Sequence, residues 1–415
     1  MSERFQQKQI PLKTQQSKGV IKVSQLLNLV EDHPYLEKIK KVFKTESIKN
    51  DLIVVENADL VYKHIARIKE EYVYFNIKVH SKDVRFSRGK DKVDGIREEK
   101  PVIFNFNEYV DYEGEVHKNM DAYALYDSRG RFFEDFSMSK YSTMLFDNKL
   151  DRLAELNLDY FRRMAETKSD FDKYQSYRIV ENKDQKFVRG ITSLQYKEYG
   201  VDFAFVITML MLHKYMRKDK GNNYKITFAA LNESKLEMII TSGQAKEAGD
   251  FGTIRSAISV KTNDLGAGAL TFTNIVKLDV KGDGIYLYPK NREVAKKDLT
   301  INHGNTSPQK AMEMVTNADD FYGYIDLFIE DLKSIKTIKN PEELRQRIQL
   351  KIEHPKSSLR TISDLRDLFK PKISDQIKDF AKLLEMCRKA EELDIEYDLK
   401  EKLRVVISDI LLNKN

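Results

Sequence analysis

The chain has 415 residues, with 71 Lys or Arg against 65 Asp or Glu and a formal charge of +6. At ~100–200 residues per domain, that length implies roughly two or three domains with cores of their own. Hydrophobic residues at 41% exclude a disordered chain, and 17 Gly with 8 Pro exclude a low-complexity linker protein.

Residues 1–22 place Gln6, Gln7, Gln9, Gln15 and Gln16 among Lys8, Lys13 and Lys18, have little to bury and read as a flexible basic tail. They lack the apolar stretch that export requires, so no signal peptide is expected. Leu26, Leu27, Leu29 and Val30 then repeat at helical spacing, and the break at Asp32-His33-Pro34 precedes a second helix over 35–43. A helix is expected over 58–69, strands over 72–79, 102–106 and 120–126, and an amphipathic helix over 150–165. Residues 101–160 carry 12 acidic side chains against 6 basic ones, behind a basic first hundred.

Further on, short strand-like runs separated by Gly, Asn or Asp turns dominate: 176–180, 186–189, 224–231, 236–241, 254–261, 270–278 and 285–288. The run FAFVITMLML at 203–212 is ten residues long, about half a bilayer span, and reads as a buried helix. After residue 305 helical patterns take over (308–335, 341–352, 363–369, 374–393 and 399–412), and 20 basic residues balance 21 acidic ones. The expected class is therefore α+β, with an N-terminal α+β region over 23–170, a β-rich, mostly antiparallel core over 171–304 and a helical module over 305–415.

Motifs for catalysis are scarce. A single cysteine, Cys387, excludes a disulfide framework and a Cys-rich zinc module; it fits a reducing compartment, and the cytoplasm is the expected location. The seven histidines are scattered, with no pair at metal-binding spacing; only His303, beside Gly304, merits watching, with a turn histidine bonded to a carbonyl as the simpler reading. The glycine-rich stretches 243–252 and 264–268 lack the ending of a triphosphate loop and the third glycine of a dinucleotide fingerprint, so no cofactor and no metal are expected. Asp111, Glu113, Glu115 and Asp121, with Lys118 nearby, are the best carboxylate cluster for Mg²⁺, although a solvated acidic loop has the same composition.

Basic and aromatic interleaving is the stronger signal. Lys82, Arg85, Arg88, Lys90 and Lys92 surround Phe86, a second patch comprises Lys214, Arg217, Lys218, Lys220 and Lys225, and a third Lys290, Arg292, Lys296 and Lys297. Clustered cations meeting phosphates release counter-ions, and an aromatic on a strand offers a base a stacking platform. In the helical module Leu365, Leu368, Phe369, Ile377, Phe380, Leu383 and Leu384 form apolar stripes, suited to an internal core or to a partner.

Between 177 and 332, Tyr177-Arg178-Ile179-Val180 with Asn182, the strands YKITFAALNES and KLEMIITS, SVKTNDLGAGALT, and LTINHGN followed by a helix with Phe321, Tyr322, Tyr324 and Phe328 occur in order. This order resembles an uncharacterised family of phage- and plasmid-borne proteins. The resemblance implies a mobile-element setting, with DNA metabolism or phage–host conflict, and brings no catalytic residues. The expected function is a non-enzymatic nucleic-acid-binding protein of a phage, plasmid or anti-phage defence locus, DNA ahead of RNA, as an oligomeric single-strand binder without membrane attachment. The alternatives are an assembly protein acting through its C-terminal helices and a metal-dependent nuclease.

Overall fold

Period-two burial organises two separate sheets, and the chain enters one, leaves to build the other, and returns. The computed structural model describes residues 4–96, 98–165, 173–219, 221–266, 268–281, 283–288, 298–317, 324–371 and 376–412. Among them are 13 helices and 15 strands, an α+β architecture as the sequence implies.

The first elements are β1 (Lys8–Gln9), β2 (Val20–Lys22), α1 (Val23–Asn28), α2 (Leu36–Phe43), β3 (Leu52–Glu56) and α3 (Ala58–Glu71). Residues 4–22, expected to be a flexible tail, are packed: Phe5, Ile10 and Leu12 are buried, and β1 pairs with a central strand of the first sheet. Three apolar side chains spaced among glutamines suffice to anchor the segment, a pattern that average composition does not register.

The next elements close a barrel. They are β4 (Val73–His80), β5 (Val84–Arg88), β6 (Val102–Val110), β7 (Val116–Ala124), α4 (Ser128–Glu134), α5 (Ser139–Asp147), α6 (Asp151–Ala165), β8 (Tyr174–Asn182) and β9 (Gln185–Thr192). β4 and β5 are two limbs of one strand, bent at the single turn Ser81–Asp83; the first limb pairs with β8 and the second with β6. From β6 the ladder runs antiparallel to β7, parallel to β9 and antiparallel to β8, and Lys78 opposite Val110 completes the ring. Counting the bent strand as first, the spatial order is first, second, third, fifth, fourth and back to first, with helices between the third and fourth. That is the connectivity of an OB fold, a five-stranded, partly open Greek-key barrel. Ile77, Val84, Phe104, Phe106, Tyr177, Ile179 and Val188 point inward, and Phe132, Phe133 and Phe136 of the helical connection pack with them. The β8–β9 turn is the two-residue kind that puts both central residues at positive φ, here Lys183 and Asp184.

The chain then returns to the first sheet through α7 (Gly200–Lys218), β10 (Tyr224–Leu231), β11 (Lys235–Glu247), β12 (Thr253–Asn263), β13 (Leu270–Val280), β14 (Asp283–Leu287) and β15 (Leu299–Ile301). The order across it is β14-β13-β12-β11-β10-β3-β2. β1 pairs beside β10, and β15 beside β13. α7 is apolar on every side and buried from Phe203 to His213, between the sheet and the N-terminal helices. No helix among the described residues is long and apolar enough to cross a membrane. The boundary expected at 170/171 is thereby corrected: 174–192 pair with 73–124, not with 224–301, because strand partners are set by long-range pairing that local patterns do not report.

The final helices are α8 (Pro308–Asn317), α9 (Ile325–Ile338), α10 (Pro341–Glu353), α11 (Ser363–Phe369), α12 (Phe380–Glu392) and α13 (Tyr397–Leu411). From α9 onward they form a second core with Ile254, Val276, Leu278 and Leu287 at the β12–β14 side of the sheet. Leu365, Phe369, Ile377, Leu383 and Leu384 are buried in that core, with Leu368 and Phe380 packed against it, so the stripes weighed as a partner surface cover each other and the sheet.

A buried ion cluster fastens this module. Arg404, 1% exposed, donates to both Glu391 oxygens at 2.9 and 3.0 Å, lies 3.5 Å from Glu237 on β11 and stacks over Phe228 and Tyr286. Removing one member of such a cluster leaves uncompensated charge, so Arg404→Met should cost about 3–5 kcal/mol in denaturant titration. Burial pushes the Glu237 carboxyl up to about 8 from 4.5. A raised carboxyl contributes stability that is complete below its unfolded value and lost as the pH rises through about 8, so Glu237→Gln should flatten the fall in melting temperature between those limits.

Candidate nucleic-acid interface

The barrel has a covered half and an open half. On the covered half the outer faces of β8 and β9 press against the first sheet. A register shift between Arg178 and Ile179, opposite Gly190 and Val188, marks a bulge that brings Arg189 out beside Arg178. Both guanidiniums are buried, at 1% and 2% exposure, and both bond the carboxylate of Glu198. Arg178 also donates to the Asp264 carbonyl and stacks on Tyr196, while Arg189 donates to Ser234 Oγ at 3.1 Å and stacks on Tyr74. Burial holds the Arg189 guanidinium down to about 10. Gly190 sits at a close approach, where a Cβ would lie 3.1 Å from the Leu265 carbonyl oxygen.

His303 belongs to this joint. Its ring lies flat on Tyr196 at 4.7 Å and its Nδ1 is 2.7 Å from the Lys197 carbonyl oxygen, the turn arrangement expected of a structural histidine. Burial lowers its pKa. Arg178, Asp264 and His303 come from three of the segments that carry the family resemblance, and they meet here, in a closed contact between the two bodies.

The open half comprises β5, β6 and β7. Arg85, Asn105 and Asp121 stand side by side across the three strands, Asn105 Nδ2 donating to Asp121 at 2.9 Å, with Ser87 and Ile103 in the next row. Beyond the barrel rim the β6–β7 hairpin continues as an arm on which Tyr109 and His117 stack at 5.4 Å, with exposed Tyr112 in its turn. The Tyr109–His117 pair escaped sequence reasoning because Asp111 to Glu115 separate its members; the signal was the hairpin turn at Gly114, which brings them opposite.

The expected binding residues divide. Lys82 lies in the bend between β4 and β5, and Arg85 on the open face is 3.1 Å from Asp159 of α6. Lys90 and Lys92 are exposed in the loop joining the first and second barrel strands. Two expectations are corrected. Phe86 faces inward, 5.5 Å from Phe133 and 5.7 Å from Phe146, because strand alternation puts it on the same side as Val84, so it offers no stacking platform. Arg88 follows it inward, over the Phe146 ring, with Glu98 and Asp151 at 3.4 and 3.5 Å.

The second patch sits elsewhere, at the C-terminal end of the 19-residue α7, about 28 Å from the joint at its start. There Lys214 donates to the Thr316 carbonyl at 2.5 Å, Arg217 lies 3.5 Å from Asp51, Lys218 completes the helix end, and Lys225 pairs with Glu56 on the neighbouring strand. Arg292, Lys296 and Lys297 of the third patch, with Lys290, lie outside the described residues, as does Lys220.

The acidic cluster is likewise rearranged. Ligand atoms of Asp111, Glu115 and His117 lie within 4.8 Å of one another, while Asp121 is four residues along β7 from His117, roughly 13 Å away. Asp111 already accepts from His117 at 2.7 Å and from the Glu115 amide at 2.8 Å, which stabilises the turn and lowers its pKa. No family model, curated protein or solved structure matches the chain.

Replacing Glu198 by Gln removes the charge shared by Arg178 and Arg189. Amide exchange in β8 and β9 should then accelerate about ten-fold or more, while α10–α13 exchange as before.

Proposed function

We propose that this protein binds single-stranded nucleic acid, DNA ahead of RNA, on the open half of its barrel, without catalysing a reaction on it. The observation that carries the reading is the barrel connectivity, because the face of the second and third strands and the loop after the first are where OB folds take oligonucleotides. Folds host many functions, so the surface has to support the reading as well. It offers the Arg85–Asn105–Asp121 row, the stacked Tyr109–His117 pair for a base, and Lys90 and Lys92, neither in an ion pair among the described residues. The arm's Glu108, Asp111, Glu113 and Glu115 repel phosphate, which supports a backbone track on the β5 side. The family resemblance adds the setting: a phage, a plasmid or an anti-phage locus.

Three cations imply modest salt dependence. The logarithm of the association constant for oligo-dT should fall with the logarithm of salt at a slope of about −2, and Arg85, Lys90 and Lys92 replaced together by Ala should weaken binding at least ten-fold with an unchanged melting curve. Absence of binding at low salt would remove the proposal.

A second reading, self-association, is favoured by one surface. Tyr141 and Met144 of α5, with Leu150 just before α6 and Leu153, Leu156 and Tyr160 along it, are all 40% or more exposed, a stripe at helical spacing. A second copy covering this stripe would make the protein an oligomer. Light scattering should then show a dimer or larger species that Leu153→Glu with Leu156→Glu converts to monomer; a monomeric wild type would exclude it.

A further inference from the structure

The open barrel face carries a charge that phosphate binding does not explain. Asp121 is exposed on the outer side of β7, and among the described residues its one partner is the Asn105 amide, which donates from Nδ2 at 2.9 Å. The cation of the same row, Arg85, stands two strands away, roughly 10 Å between backbones. It turns to Asp159 at 3.1 Å and leaves the Asp121 carboxylate without a counter-charge. Such a carboxylate repels a nucleic-acid backbone, so on this surface it lowers affinity unless it accepts hydrogen bonds from a base.

The carboxylate also fixes its neighbour. Asp121 accepts and cannot donate, so Asn105 has to present Nδ2 to it, and the second hydrogen on that nitrogen has no partner among the described residues. Read from β7 to β5, the row offers two acceptor oxygens, one amide donor and one guanidinium. In the next row Ile103 and Tyr123 stand opposite each other, both half-buried, and give a base an apolar floor.

One base matches that order. Guanine alone sets two donors side by side on its Watson–Crick edge, N1–H and the 2-amino group, with the O6 acceptor next to them. Adenine and cytosine place one amino donor beside a ring acceptor, and thymine flanks its one N–H with two carbonyls. Each of these three turns a lone pair towards a carboxylate. We propose that the open face prefers guanine: Asp121 accepts from N1–H and the 2-amino group, Asn105 Nδ2 donates to O6, and Arg85 is left for phosphate. The inference rests on the nucleic-acid reading above and adds to it the base that is recognised.

The test uses the full chain with oligo-dT of about eight nucleotides, within the span of one such barrel, and the same oligomer with one central guanine, adenine or cytosine. The guanine oligomer should bind about ten-fold tighter than the other three. Hypoxanthine, which lacks the 2-amino group, should lose most of that gain, and 7-deazaguanine, whose Watson–Crick edge is intact, should keep it. Asp121→Asn should lower the preference about five-fold or more while oligo-dT binds as tightly or tighter, because a negative charge facing phosphate is gone. Equal affinity for the four central bases with oligo-dT still bound, a preference that hypoxanthine retains, or one that survives in Asp121→Asn would overturn the guanine assignment and leave the nucleic-acid reading standing. Absence of binding by every oligomer would remove both.

Discussion

The carboxylate of Glu198 stands between two buried guanidiniums, and the relation of the barrel to the rest of the molecule depends on that arrangement. Like charges as close as Arg178 and Arg189 repel strongly away from water, and one shared carboxylate, two aromatic faces and a carbonyl offset the repulsion. The bulge at Arg189 turns the second guanidinium outward, and the bare Cα of Gly190 eases the approach of β9 to Leu265. With β8 and β9 sealed against the sheet, only β5, β6 and β7 remain open, so the joint selects which barrel surface can meet a ligand.

The same economy holds where the helical module meets the sheet. Arg404 reaches from α13 through the apolar layer to Glu237 on β11, between aromatic rings, so the helical module is fixed by charge as well as by burial. The two buried arginine clusters thus grip the first sheet at different places, one at its β10–β11 and β12–β13 turns and one on its face at β11. Removing Arg404 takes from Glu391 its two-point partner, whereas removing Arg178 or Arg189 leaves Glu198 the other guanidinium.

Much of the secondary structure was legible because its signals are local. The apolar run at 203–212, the alternation of 72–79 and the helical stripe at 363–369 each report burial through side-chain spacing alone, and each became the element expected, whereas the helix expected over 374–393 begins only at Phe380. The barrel was not legible: 174–192 join 73–124 across three helices and a parallel pairing, which no local period encodes. Phe86 was misread for a related reason. Its neighbours are cationic, but the strand period places it opposite Arg85, on the core side. Packing of the first residues rests on three apolar side chains in a glutamine-rich stretch, and the Arg178–Asp264–His303 convergence on three segments far apart in sequence.

The barrel is an insertion. The chain leaves the first sheet after α3, builds β4 to β9 and returns at α7, and both crossings run beside the joint. Asp264, whose carbonyl holds Arg178, also accepts the Gly200 amide at 2.7 Å, at the first residue of α7. A pull on anything held by the open barrel face is therefore resisted at the base of the molecule's most deeply buried helix. Mechanically, the barrel is a handle mounted on the core: load applied to it is borne by α7 and the sheet, and not by a flexible linker.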